Sequence, residues 1–268
     1  MNKIIYITIM MNLKGSEKML TKHIFCNIST RNSALIFYLI ALYPFLYLIT
    51  LILPTNFMQI NGETNGLTGL DFYYGVLAAQ SQFAVPLILV TYFISFLFYE
   101  EYESGRLIFY KDISRTYLYN SKIAALLSMY VIYFILLFIA SQVLYFTYII
   151  KFNYASGDFL SSSASINYSD ILGIIGIYGI TLIAIFFGIM LSMKLSTGFN
   201  ILGVVILLMI MSAAPLIHGF KYFFPNSYEE ANNISEFFTK LVIIILITLV
   251  YSIVCYLAGL KMFKRLEY

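Results

Sequence analysis

The chain has 268 residues, of which 61% are hydrophobic and only 11% charged. Soluble domains carry about a quarter charged residues. No soluble fold of this size covers so much apolar surface with so few charges, which excludes a water-soluble enzyme or a nucleic-acid-binding protein and makes lipid the fitting solvent. The net charge of +3 says little as a total, because in a membrane protein the placement of the cations carries the information.

Residues 1–11 are apolar but too short to span a bilayer. With one lysine and no small-residue cleavage site they read as an interfacial or disordered tail rather than a signal peptide, and Met19 is an alternative first residue. Over 17–30, Leu20, Ile24 and Ile28 recur every four residues, with Lys18, Lys22 and Asn27 elsewhere on the wheel. This pattern predicts a short amphipathic helix in the inner interface. Arg31 closes this first unit, residues 1–33, and a membrane domain fills 34–268.

A helix needs about 20 apolar residues to cross roughly 30 Å of hydrocarbon. Six stretches reach or approach that length: 34–53, 72–99, 123–150, 171–193, 199–217 and 238–260. The expected fold is therefore an all-α polytopic membrane protein with six transmembrane helices behind an N-terminal amphipathic helix. The second stretch is longer than a span requires and is expected to tilt or project. Gln80, Gln82 and Pro86 make its outer half polar. On the fourth, Gly173, Gly176 and Gly179 repeat every three residues, and Ala184, Gly188 and Ser192 every four. Such stripes let backbones approach closely, here within the bundle, with a dimer contact as the minor alternative. The outer loop at 218–239 combines phenylalanines and tyrosines with Glu229, Glu230 and Glu236. A short helix or re-entrant hairpin and a plain loop with an aromatic belt fit it equally.

Thirteen of the sixteen Lys and Arg residues fall in segments assigned to the inside, whereas the acidic residues divide six inside and seven outside. A cation bias without an anion bias is the signature of cytoplasmic loops, so both termini are expected in the cytoplasm and the chain in the cell membrane. Cys26 and Cys255 fall in different environments, and no disulfide is expected. His23 and His218 are expected on opposite faces, and no Cys/His cluster has metal-ligand spacing.

The segment at 100–122 holds eight charges in 23 residues. Glu100, Glu101 and Glu103 sit at the cytoplasmic end of a long helix, where the macrodipole is negative, and call for cations such as Arg106, Lys111 and Arg115 or for a partner protein. Gly105 breaks the helix, and Leu107, Ile108 and Phe109 begin a short helix with an apolar face. Charge alone fits a solvated, salt-bridged loop equally well.

The residue order resembles the inside loop after the second span of ABC-2 type transporter permeases. In that family an acidic residue, a Gly, a hydrophobic turn, Ser-Arg and then Lys precede the third span. Here Glu101 or Glu103, Gly105, Leu107, Ser114-Arg115 and Lys122 match, while Asp112-Ile113 stands where the family often has Pro. The motif covers about 20 residues and the architecture nearly the whole chain. The resemblance implies the membrane half of a bacterial ABC exporter, with two permease subunits, identical or related, pairing in the bilayer. The turn at 104–110 would be the coupling helix that docks on a separate ATPase present in two copies. Glu100, Glu101, Glu103, Gly105, Arg106, Leu107, Phe109 and Arg115 are the candidate coupling residues. The chain has no phosphate-binding G-x-x-x-x-G-K-[ST] motif, so it is not itself expected to be an enzyme. No cofactor is expected in it, and ATP and Mg would bind the partner ATPase.

No span carries a charge in its middle, so an ionisable relay is not expected. Gln80, Gln82, Ser128 and Gln142 are the candidate lining of a translocation path, suited to an amphipathic or hydrophobic peptide, lipid or drug. Two other readings compete. One is a non-transporting immunity or scaffold protein, which needs no stiff charged knob. The other is an intramembrane protease of the CAAX type, whose EExxxR motif Glu100, Glu101 and Arg106 approximate with the wrong spacing.

Overall fold

The computed structural model describes residues 19–51 and 64–266. The tail at 1–11, the first residues of the helix expected at 17–30 and the last residues of the stretch expected at 34–53 lie outside them. Among the described residues the chain is helical and forms no strand, with one isolated bridge between Leu67 and Ala155.

Five helices are long and apolar enough to cross a membrane: Val85–Glu103, Arg115–Lys151, Ala164–Leu191, Thr197–Leu216 and Ile234–Lys264. A bent pair, Asn32–Ile40 with Tyr43–Ile49, makes a sixth if counted as one span, its halves meeting at 59°. The chain begins with α1 (19–29), whose Ile24 and Ile28 are buried while Lys22 and Cys26 are exposed. Next come α2 (Asn32–Ile40) and a 3-10 helix over Tyr43–Leu51. Pro44 has no N–H to extend the α ladder of α2, and the chain bends beside it.

The stretch expected as one long helix over 72–99 is broken. α3 (Gly69–Phe83) ends at Ala84, which is left-handed with φ of 54°, and α4 (Val85–Ser95) restarts with Pro86 in its first turn. Proline at 86 removes the N–H that would bond the Gln82 carbonyl and crowds that carbonyl with its ring. A π turn over Phe96–Glu100 and the short α5 (Glu101–Glu103) continue from α4. The remaining long helices are α6 (Arg115–Thr147), α7 (Ala164–Leu191), α8 (Thr197–Ala213) and α9 (Ile234–Lys264).

The centre of the bundle is α7, which packs on α3, α4, α8 and, most extensively, α9. Its small residues make this possible. A Cβ on Gly188 would lie 3.1 Å from Val204 and 3.5 Å from Ile94, and Gly173 lies against the Tyr74 ring. A Cβ on Gly176 would lie 3.3 Å from the Asn226 Cα, and one on Gly179 3.1 Å from Pro225. Both small-residue stripes are thus close-packing surfaces within the bundle.

The Gly176 and Gly179 contacts decide between the two readings of the loop at 218–239. Its 3-10 turn, Pro225–Ser227, is wedged between α7 and α9. A Cβ on Gly179 would meet both Pro225 and the Thr248 hydroxyl. Thr248 lies 14 residues into α9, about 21 Å along it, so the chain re-enters the bundle. Asn226 Nδ2 donates to the Met211 carbonyl at 3.0 Å. Such non-helical backbone is tolerated at depth where protein surrounds it.

Candidate functional site

The charged segment caps the end of the bundle where α5 stops, α6 and α8 begin and α9 ends. The π turn interrupts the regular helical ladder, and the Leu97 carbonyl within it accepts from Lys122 Nζ at 2.5 Å. Lys122 also forms an ion pair with Glu101, Nζ to Oε2 2.8 Å, and the two side chains are only 1% and 7% exposed. The rings of Phe98, Phe263 and Tyr110 surround the ammonium at 5.2, 5.7 and 5.9 Å from their centroids, close enough for cation–π attraction. A buried charge pair survives only with such good geometry and with its remaining hydrogen-bond capacity satisfied. Burial and the Glu101 carboxylate raise the Tyr110 phenol, with Arg106 acting weakly against them.

Several of the other charges have other partners. Arg115 donates to the carbonyls of Phe263 and Lys264, both at 3.2 Å, and to that of Leu266. It thereby caps the end of α9 with a cation, where the helix dipole favours one. Arg31 lies over the Phe96 ring, 3.6 Å from its centroid, and Arg106 approaches the same ring at 5.5 Å. Arg106 Nε also donates to Ser104 Oγ at 2.7 Å. Glu100 accepts from Thr197 Oγ1 at 3.4 Å, and Glu103 is exposed. Of the two sources of cations expected for the three glutamates, the nearby Arg106, Lys111 and Arg115 form no ion pair with them among the described residues. Among the described residues the only ion pair is Glu101 with Lys122, which the sequence places at the end of the inside segment 100–122.

Above this clamp the chain turns at Gly105, whose φ is +69°. An added Cβ would meet nothing within 4 Å, so the glycine answers the backbone's left-handed conformation and not a lack of space. A 3-10 turn, Arg106–Tyr110, follows. Leu107 is buried beneath it, while Ile108 is 53% and Phe109 82% exposed. The result is a short apolar tip on a turn anchored from below.

The candidate path residues are not brought together. Gln80 is buried and donates to the Ile40 carbonyl at 3.5 Å, whereas Gln82 is exposed. Ser128 is exposed and donates to the Ala124 carbonyl at 2.8 Å. Gln142 donates to the Gly69 carbonyl at 2.9 Å, 14 residues or about 21 Å farther along α6. A different polar cluster gathers beside the Ala84 break. Tyr73 and Tyr178 share a hydrogen bond, and Tyr43 donates to the Val76 carbonyl at 2.5 Å. Tyr133 stacks on Phe37 at 4.6 Å. Next to them is a cavity of about 30 Å³ lined by Gln80, Ser81, Pro86, Tyr130 and Thr181, large enough for a buried water. The only sequence signal for this cluster is the abundance of tyrosine, 24 residues, which has no periodicity that points inward.

The protease geometry is not assembled. Glu101 is occupied by Lys122, and His218 follows the far end of α8, whose first residue, Thr197, reaches Glu100. The 17 residues of α8 put about 25 Å between those ends, far beyond the reach that acid–base chemistry needs. Comparison with protein-family models, curated proteins and solved structures finds no match to this chain.

Proposed function

We propose that this chain is the membrane-spanning permease subunit of an ABC exporter of the ABC-2 type. It crosses the cell membrane six times, with the bent α2 pair as the first span and both termini in the cytoplasm. It pairs with a second permease, identical or related, and is driven by a separate ATPase present in two copies, which binds the ATP and Mg. Its cargo is an amphipathic or hydrophobic peptide, lipid or drug, and the chain itself is not an enzyme.

One observation carries the reading. An apolar turn with Phe109 82% exposed stands on a buried Glu101–Lys122 clamp at the charged end of the bundle. An aromatic left in water on a rigid support is a protein-docking feature, since aromatic anchors that fill a partner's pocket dominate interface energies. The clamp joins the turn to α4, α6 and α9, so a push on Phe109 is delivered to three spans instead of being absorbed by a loop. The resemblance of 100–122 to the family's inside loop supplies the identity of the partner.

The test is purification of the tagged chain in mild detergent. The account expects a soluble subunit with ATP hydrolase activity in stoichiometric amount, lost with Phe109→Glu while the thermal unfolding of the membrane subunit is unchanged. Recovery of the chain without such a subunit, or its undiminished retention by Phe109→Glu, contradicts the reading.

A further inference from the structure

A groove of about 870 Å³ runs between α1 and the outward face of α6 and reaches Ser114, at the end of α6 nearest the charged turn. Its size falls within the roughly 300–1,000 Å³ typical of ligand sites. One wall is α6, where Thr116, Asn120, Ala124, Ser128 and Ile132 follow one another at four-residue intervals, a track about 24 Å long. Ala124 and Ser128 are too short to fill it. The other wall is α1, through Thr21, Lys22 and Phe25.

The chemistry of the groove is graded along its length. Toward the charged turn the groove has the hydroxyls of Ser114 and Thr116 and the Asn120 amide, and α1 adds Lys22 and the Thr21 hydroxyl to its lining. The Asn120 Oδ1 accepts from Tyr256 at 2.7 Å, which leaves the two amide protons for another acceptor. Among the described residues no carboxylate lines the groove and Lys22 makes no ion pair. Farther along, the walls become Phe25, Ala124 and Ile132, broken only by Ser128, whose hydroxyl is already turned back onto its own helix.

We infer that this groove holds one anionic phospholipid, its phosphate against Lys22 and the Thr116 and Asn120 donors and one acyl chain along Ala124, Ser128 and Ile132. Among the described residues, one cation without an ion pair beside neutral donors, and an apolar track behind them, reproduce the polarity of such a molecule from head to tail. A helix of a second copy would suit the small-residue track but leave Lys22 without an anion. The inference rests on the membrane reading of the chain and not on its coupling to an ATPase, so it fails or stands separately from the transporter proposal.

The experiment uses the full chain in detergent, with native mass spectrometry during titration by dioleoyl-phosphatidylglycerol or dioleoyl-phosphatidylcholine. The expected result is preferential retention of phosphatidylglycerol by the native chain. The preference should fall roughly fivefold with Lys22→Gln, the factor one cation near an anionic headgroup carries, and stay intact with Lys22→Arg. Ser128→Phe, which fills the track, is expected to weaken both lipids. Free glycerol 3-phosphate, a headgroup without chains, should not compete. Equal retention of the two lipids, an unchanged preference in Lys22→Gln, or full competition by glycerol 3-phosphate would overturn the assignment. So would a Ser128→Phe chain that keeps its lipid and loses only self-association. Lys22 is exposed, so its variants are expected to fold and they decide the matter even if Ser128→Phe does not.

Discussion

Lys122 shows how far a single residue's role can depart from its place in the sequence. It lies at the end of a run of charges and counts as one more cytoplasmic cation, yet it is fully buried, paired with Glu101 and ringed by aromatics. The residue order marks it as a motif position but not as a buried one, because its partners come from the π turn, α5, the 3-10 turn and α9. Removing one member of a buried pair strands the other charge, which costs about 3–5 kcal/mol, while replacing both by apolar or neutral groups is often close to neutral. Lys122→Met is therefore expected to lower the thermal midpoint of the detergent-solubilised protein sharply, and Lys122→Met with Glu101→Gln to recover much of the loss. A double variant as unstable as the single one would contradict the clamp.

At the other end of the bundle, Glu229 gives a pH prediction. Burial holds its carboxyl above the usual carboxylate range, and neighbouring Glu230 pushes in the same direction. The Tyr74 hydroxyl, which donates to Glu229 Oε2 at 2.8 Å, acts against them. The folded state therefore holds its proton more tightly than the unfolded one. The stability this brings is complete below the ordinary glutamate range and declines as pH rises through the elevated value. Thermal melts from pH 4 to 8 are expected to show that decline in the native chain and to flatten with Glu229→Gln. Tyr74→Phe should shift the decline to higher pH.

Among the elements, the helices were legible because hydrophobic runs of spanning length need no tertiary information. Among the described residues the six expected stretches fall on helical segments, the first on a bent pair and the second on two helices broken at Ala84, and α6 begins eight residues earlier than its apolar core because Arg115 and Lys122 find partners at its charged start. The interruptions were not legible. Pro86 marks a break, but whether the helix kinks or stops depends on what surrounds it, and here the chain stops at Ala84 in a left-handed conformation. An L-residue there carries a strain of about 1 kcal/mol that glycine avoids. Ala84→Gly is thus expected to raise stability by up to about that amount in chemical denaturation, and a clear loss would show that the break is held differently.

The re-entrant turn was half legible. Its aromatic composition allowed it, and the glycine stripe on α7 that receives it was visible, but the two could not be connected without the fold. Gly179→Leu is expected to expel Pro225–Ser227, lowering the thermal midpoint and opening the loop to limited proteolysis, since the nearest atoms belong to a proline ring and to α9. A native-like melt and digestion pattern would exclude the wedge.

For the whole molecule, composition fixed lipid as the solvent, and the cation bias set the expected orientation. The candidate coupling residues were proposed from residue order, and the structure places several of them differently, with Lys122, from outside that set, beside them. Glu101 and Lys122 clamp, Arg115 caps α9, Gly105 turns the chain and Phe109 is presented. The path residues failed as a set because polarity within a span does not reveal which face a side chain occupies, and Gln80 and Gln82 end up in opposite environments. The transporter account turns on the side of the membrane where Phe109 emerges. The direct measurement is labelling of a Phe109→Cys chain, in a Cys26→Ser background, with a membrane-impermeant maleimide on intact and on lysed cells. The account predicts protection in intact cells and full labelling after lysis, and labelling of intact cells would place the tip on the outer face and contradict it.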